Sequence, residues 1–94
     1  MMVVKGVFPL NNHLPQIKHL IGKHIKGLRI DRGLSQEDLA GLCEVDRSYI
    51  SMIEVGKNEP SVTKIFQLCE ALQINPSNFL RLVEADLKKL SDSE

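Results

Sequence analysis

Apolar side chains recur every three or four residues in five stretches between residues 17 and 90. That spacing places them on one face of a helix. The stretches are separated by residues that typically start or stop helices, and these are Gly33, Ser35, Asp46, Gly56, Ser61 and Asn75-Pro76. The pattern predicts an all-α fold of five helices over residues 17–90.

The two ends of the chain lack this period. Residues 1–16 contain Pro9 and Pro15, which break helices, and apolar residues that suit an extended segment. We interpret residues 1–16 as an extended N-terminal arm that is partly ordered. The alternatives are a strand that pairs across a dimer or an arm that tracks DNA. Residues 91–94 are interpreted as a frayed tail.

The charges of the 94-residue chain sum to zero but are unevenly distributed. Residues 1–34 carry six basic side chains and one acidic one, whereas residues 35–60 carry two basic and six acidic ones. A surface that binds phosphates must therefore be narrow. We expect weaker non-specific affinity for nucleic acid than a strongly basic protein has.

The middle of the chain predicts two short helices joined by a tight turn. The first helix follows Ser35, an N-cap with Asp38 three positions later, and Glu44-Val45 is the turn. The second helix follows Asp46 and ends before Gly56. Its inward residues are apolar and most of the others are polar, which indicates a helix-turn-helix.

Residues 21–80 resemble the lambda-repressor/Cro type of helix-turn-helix domain, also called the xenobiotic-response-element (XRE) family. The matching segments are IGKHIKGLRIDRGLSQEDLA, DRSYISMIEVGKNEPS and KIFQLCEALQINPSNFL. The DRSYIS segment is similar to that of the controller proteins of restriction–modification systems. The resemblance implies a transcriptional regulator that binds a palindromic operator in double-stranded DNA as a homodimer, through residues 35–56.

The second helix of such a motif places its N-terminal part in the major groove. This predicts base contacts by Arg47, Ser48, Ser51 and Met52. An arginine can bind guanine through two hydrogen bonds, and a methionine can pack on a thymine methyl group. The family pattern assigns contacts with the DNA backbone to Gln36, Tyr49, Lys57 and Asn58. For Tyr49 the alternative is a ring packed on the first helix.

Two structural features follow from the same resemblance. The family commonly holds a partly buried ion pair at the positions of Arg29 and Glu54. It usually has glycine at the position of Glu44, because the chain there takes a positive φ. This sequence departs from that pattern, and we expect Glu44 to be left-handed nevertheless.

The fifth helix carries a continuous apolar stripe formed by Phe79, Val83, Leu87 and Leu90. If four helices close the core, the stripe would be exposed on a monomer. We therefore expect it to form the dimer interface. The alternative is that the fifth helix folds back over the first helix of its own chain.

The sequence does not predict an enzyme, a metal site or a cofactor. It has no Ser/His/Asp grouping in a supporting context, no glycine-rich phosphate loop and no metal-ligand spacing. Cys43 and Cys69 lie on apolar faces, where two buried thiols are a better interpretation than a redox switch or a disulfide. No apolar run is long enough to span a membrane and no signal peptide is recognisable, so we expect a cytoplasmic protein.

Two other functions remain open at this point. The chain could be the antitoxin of a toxin–antitoxin pair, although little sequence is left for a toxin-binding segment. It could also be a protein-interaction module that shares the fold. Convergence of Gln36, Arg47 and Ser48 on one exposed face would favour DNA binding. The operator, any small-molecule effector and the regulated genes do not follow from the sequence.

Overall fold

The computed structural model describes residues 13–92. A 3-10 turn at Leu14–Gln16 leads into α1 (Ile17–Asp31), and the remaining helices are α2 (Gln36–Cys43), α3 (Arg47–Glu54), α4 (Val62–Ala71) and α5 (Pro76–Asp92). Strands are absent from residues 13–92, and the predicted all-α fold with five helices is confirmed. None of these helices is long and apolar enough to cross a lipid bilayer.

The chain ends differ from their predicted boundaries. Pro15 lies in the first turn of the 3-10 helix, where proline is tolerated because the missing N–H has no partner there. Residues 14–16 therefore lead directly into α1, and the rest of the predicted arm, residues 1–12, lies outside the described residues. At the other end α5 continues to Asp92 and buries Ser91, so the predicted tail begins two residues too early.

A reciprocal cap fixes the start of α2. The backbone N–H of Asp38 donates to Oγ of Ser35 at 2.9 Å, and Oδ2 of Asp38 accepts from the N–H of Ser35 at 2.8 Å. The second bond lowers the pKa of the Asp38 carboxyl, because it stabilises the charged form. The N–H groups of Gln36 and Glu37 belong to the first turn of α2 and so have no partner within the helix.

The core is built from all five helices. Its fully buried large side chains are Ile25, Leu39, Ile50, Ile53, Leu68, Leu72 and Phe79. Cys43 and Cys69 are free thiols buried in the same cluster. Burial raises the pKa of the Cys69 thiol to about 11.

Helix α5 contributes to this core and does not present its stripe to solvent. Phe79, Val83 and Leu87 are buried within the chain, where α5 packs on α1 and α4. The prediction that these three residues form a dimer interface is therefore wrong, and only Leu90 remains partly exposed. The stripe showed which face of α5 is buried, but the neighbours that bury it are α1 and α4 of the same chain.

Polar groups reinforce the contact between α1 and α5. Oδ2 of Asp86 accepts from Nζ of Lys23 at 2.8 Å and lies 2.8 Å from Nε2 of His24. The hydrogen bond from Lys23 is the largest cause of the lowered pKa of the Asp86 carboxyl. A lowered pKa in the folded state means that this bridge stabilises the fold above the ordinary carboxyl pKa. That contribution is lost as the pH falls through the lowered value.

The turn between α2 and α3 has the conformation expected from the resemblance. Glu44 has φ 55° and ψ 45°, which is left-handed, and its N–H donates to the carbonyl of Gly41 at 3.3 Å. The N–H of Val45 donates to the carbonyl of Ala40 at 3.0 Å, which closes the end of α2. The predicted positive φ at Glu44 is confirmed.

Substituting Glu44→Gly is expected to raise the free energy of unfolding by about 1 kcal/mol, because glycine adopts this conformation without a steric penalty. Urea denaturation of the variant and the parent measures the difference. Glu37→Gly is the control: Glu37 is exposed in the first turn of α2, and glycine in a helix costs about 1 kcal/mol relative to good helix formers. A Glu44→Gly protein less stable than the parent contradicts the prediction.

Candidate nucleic-acid interface

Helices α2 and α3 meet at the left-handed turn and pack their apolar faces into the core. Ile50 and Ile53 of α3 are fully buried, and they orient this short helix. The capped start of α2 and one long face of α3 are left accessible. Two helices with this connection and one exposed face match the geometry of a helix-turn-helix.

The predicted base-contacting residues share the exposed side of α3. At about 100° per residue, Arg47, Ser48, Ser51 and Met52 fall within about 140° of the helix circumference. Arg47, Ser48 and Met52 are exposed and Ser51 is half-buried. This arc carries a cation, two hydroxyl groups and a thioether. It therefore offers donors, acceptors and one apolar group to whatever lies against it.

Gln36, the first residue of α2, is held beside Arg47. Its Nε2 donates to Oε1 of Glu54 at 3.0 Å, and its Oε1 accepts from Nη1 of Arg47 at 3.2 Å. A carboxylate only accepts hydrogen bonds, so Glu54 determines which way the Gln36 amide points. Its carbonyl oxygen consequently faces the guanidinium of Arg47. Gln36, Arg47 and the exposed Ser48 thus converge on one face.

The ion pair expected between Arg29 and Glu54 is present beneath this face. Nε of Arg29 donates to Oε2 of Glu54 at 2.6 Å and Nη2 donates to Oε1 at 3.0 Å. Nη1 donates to the carbonyl of Leu34 at 2.9 Å. The hydrogen bond that Arg29 donates to Glu54 raises the pKa of Arg29. The pair joins α1 and α3, and Leu34 and Gln36 attach the start of α2 to it.

The predicted backbone-contacting residues occupy different sites. Lys57 is exposed and Asn58 half-buried, and their N–H groups donate to the carbonyl of Met52 at 2.9 and 3.2 Å. Tyr49 is half-buried against the core and lines a shallow groove with Val45 and Lys64. Burial raises the pKa of its hydroxyl group. Tyr49 therefore faces the turn and α4, away from the arc of Ser48 and Ser51.

Two residues near the exposed face were not among the predicted site residues. The ring of His19 packs on Gly56, where a Cβ atom would overlap it. Val55, the C-cap residue directly after α3, is 59% exposed and follows Ser48 by seven positions. The spacing of Val55 from Ser48 could have identified it from the sequence, whereas nothing in the local sequence indicated the contact of His19.

Comparison with known proteins identifies helix-turn-helix proteins as similar to this chain. The family model described as "Helix-turn-helix" matches residues 25–79. The chain is 35% identical to the control protein C.BamHI of Bacillus amyloliquefaciens over 65 residues, which are 68% of this chain and 80% of that protein.

Solved structures of controller proteins are also similar to this chain. The restriction–modification controller protein C.AhdI from Aeromonas hydrophila is 39% identical with a TM-score of 0.63, over 66% of this chain and 94% of that one. A second structure is that of the controller protein C.Esp1396I, a tetramer in complex with its natural 35 base-pair operator. Its chain is 25% identical in sequence to this one. Its TM-score is 0.69, over 76% of this chain and 93% of that one.

Proposed function

Because the chain belongs to the lambda-repressor/Cro-type (XRE) helix-turn-helix family, we propose that it is a sequence-specific regulator of transcription. In this proposal it binds a palindromic operator as a homodimer through residues 35–56. C.BamHI and C.AhdI are controller proteins by name, and C.Esp1396I binds its operator as a tetramer. These relatives support a role of the same kind for this chain.

One observation carries the proposal: Gln36, Arg47 and Ser48 meet on an exposed face at the N-terminal ends of α2 and α3. The free N–H groups at the start of α2 suit a phosphate. Arg47 lies in the first turn of α3, the part that enters the major groove in this motif. A protein-interaction module would not need a cation and a phosphate-binding helix end on the same face.

The contacts within this face indicate which groups would bind phosphate and which would bind a base. Gln36 is already bonded to Glu54 and Arg47, so its backbone N–H suits the phosphate better than its side chain does. The guanidinium of Arg47 has several donors and commits only Nη1 to Gln36. Its remaining donors suit O6 and N7 of guanine. Lys57 and Asn58 then serve as contacts with the sugar–phosphate backbone.

The test starts from duplexes selected by the purified protein out of a random pool. Arg47→Ala is expected to lose about 1–3 kcal/mol at one base pair of each half-site and to relax the preference there. Lys57→Ala is the matched control. It should weaken binding to all sequences alike and lower the dependence on salt by about one charge. If Arg47→Ala weakens selected and random duplexes equally, Arg47 is a phosphate contact and its assignment fails.

The homodimer requires a surface other than the buried stripe of α5. Exposed apolar groups on α4 and α5 provide one: Phe66 is 56% exposed, Leu80 is 45% exposed, and Ile74 and Pro76 line a groove beside Phe66. A twofold axis through this surface would pair it with itself. In a dimer of this kind the two copies of α3, the recognition helix of the motif, lie about 34 Å apart, one turn of DNA.

Sedimentation at micromolar concentration tests this surface. The parent chain is expected to be a dimer, and Phe66→Asp combined with Leu80→Asp is expected to give a folded monomer with weaker operator binding, because buried aspartates repel across the twofold axis. Ile30→Asp is the control, since Ile30 is as exposed as Phe66 but lies on α1. A double variant that remains dimeric excludes this surface. A monomeric parent excludes a homodimer in the absence of DNA.

A further inference from the structure

Val55 is an apolar side chain at the end of the recognition helix. It is 59% exposed, and Met52, one turn earlier, is 36% exposed. Residues three apart on a helix are neighbours, so the two side chains form one apolar strip. The strip is distinct from Arg47 and the serines, whose groups can all form hydrogen bonds.

The position of Val55 places it on the same face as the predicted base contacts. Ser48, Ser51, Met52 and Val55 have the spacing i, i+3, i+4 and i+7, which is one face of a helix. At about 100° per residue Val55 falls between Ser51 and Ser48. It lies about 10 Å along the axis from Ser48, at 1.5 Å per residue. In the homeodomain, a three-helix variant of the helix-turn-helix, four positions with this spacing on one helix read the major groove.

The chain leaves this face immediately after Val55. Gly56 has φ 79°, and the N–H groups of Lys57 and Asn58 both donate to the carbonyl of Met52. The backbone thus folds back beneath the end of the helix, and the ring of His19 covers Gly56 on the other side. Val55 is the C-cap residue directly after α3 and is largely exposed, so its two methyl groups end the exposed face.

Chemistry limits what this strip can recognise. A valine side chain offers no hydrogen bond, so it cannot satisfy the polar edge of a base. The apolar group in the major groove is the 5-methyl group of a pyrimidine, present in thymine and in 5-methylcytosine. On the basis of the proposed function, we propose that Val55 and Met52 bind a pyrimidine 5-methyl group and determine the preference at a base pair that Arg47 does not read.

Duplexes that differ by one methyl group test this inference. The duplex selected by the parent protein is altered one position at a time, with each thymine replaced by deoxyuridine. At the sensitive position, the T·A pair is also replaced by C·G with or without the 5-methyl group on cytosine. Affinities are measured for the parent, Val55→Ala and Val55→Thr, which keeps the branched shape but replaces a methyl group with a hydroxyl. Leu42→Ala is the matched control, since Leu42 is 60% exposed but lines a groove with Gln67 and Ala71.

For the parent and for Leu42→Ala, loss of the methyl group is expected to weaken binding about fourfold per half-site, the factor for burying one such group. For Val55→Ala and Val55→Thr this ratio should fall towards one. If the methyl group alone is recognised, this ratio should be similar for thymine and for 5-methylcytosine. A ratio above one for thymine but not for 5-methylcytosine restricts the inference to thymine.

Two results would overturn the inference and leave the proposed function intact. One is a parent protein that binds its selected duplex without any dependence on methyl groups. The other is a pair of Val55 variants that keep the parental ratio. If no duplex is selected at all, the proposed function fails and the inference fails with it.

Discussion

Replacing Glu54 with alanine is expected to lower the free energy of unfolding by about 3 kcal/mol. The Glu54 side chain is 2% exposed and that of Arg29 is 11% exposed, so the guanidinium would remain in the interior without its carboxylate. The hydrogen bond to the carbonyl of Leu34 would persist, but it does not neutralise the charge. Gln36 would also lose its acceptor, so operator binding should weaken in the protein that remains folded.

The ion pair of Lys23 and Asp86, which joins α1 to α5, provides the control. Nζ of Lys23 lies 2.8 Å from Oδ2 of Asp86, but the Lys23 side chain is largely exposed. A pair with an exposed member contributes about 1 kcal/mol or less, so Lys23→Ala, which leaves Asp86 beside His24, should cost much less than Glu54→Ala. Chemical denaturation of both variants, with operator affinity as a second measurement, compares them. Equal losses of stability would show that the pair of Arg29 and Glu54 behaves as a surface pair.

Replacing Gly22 with alanine is expected to cost about 1–3 kcal/mol of stability, the range for an overpacked core. A Cβ atom at Gly22 would overlap the carbonyl oxygen of Ile53 and lie 2.9 Å from that of Glu54. Both are backbone atoms, so α1 and α3 would have to separate. Because α3 carries the predicted base-contacting residues, the variant should also bind operator more weakly than its loss of stability explains.

Gly27 lies on the same helix and gives the opposite expectation. A Cβ atom there meets nothing within 4 Å, so Gly27→Ala should raise the free energy of unfolding by about 0.5–1 kcal/mol. The two substitutions change the same atoms in one helix and differ only in their surroundings. Thermal or urea denaturation should show a lower free energy of unfolding for Gly22→Ala and a higher one for Gly27→Ala. If both stabilise the protein, the close approach of α1 and α3 is not rigid.

Local signals in the sequence were sufficient for much of the fold. Ser35 and Asp38 form the predicted reciprocal cap, and α1 ends before Gly33, as predicted. Such signals succeed because the groups that make a cap are neighbours in the chain. The resemblance supplied what neighbours could not, namely the left-handed Glu44 and the pair of Arg29 with Glu54.

Contacts between helices were less accessible to prediction. The stripe of Phe79, Val83 and Leu87 identified the buried face of α5, but periodicity does not identify the partner helices, which are α1 and α4 of the same chain. The bond from Gln36 to Glu54 joins residues 18 positions apart on different helices. The exposure of Val55 depends on the reversal of the chain at Gly56. Each of these features arises from tertiary packing.

The two buried thiols, Cys43 and Cys69, can be used to measure local opening of the fold. Only a thiolate attacks a labelling reagent, and burial raises the pKa of both thiols. Cys43 ends α2 beside the carbonyl of Gln67, and Cys69 lies on the core face of α4. The rate at which each reacts therefore measures how often its helix exposes it, in the manner of amide hydrogen exchange. In the unsubstituted protein, labelling of Cys43 therefore reports the opening of α2 in the helix-turn-helix, and labelling of Cys69 reports the opening of α4.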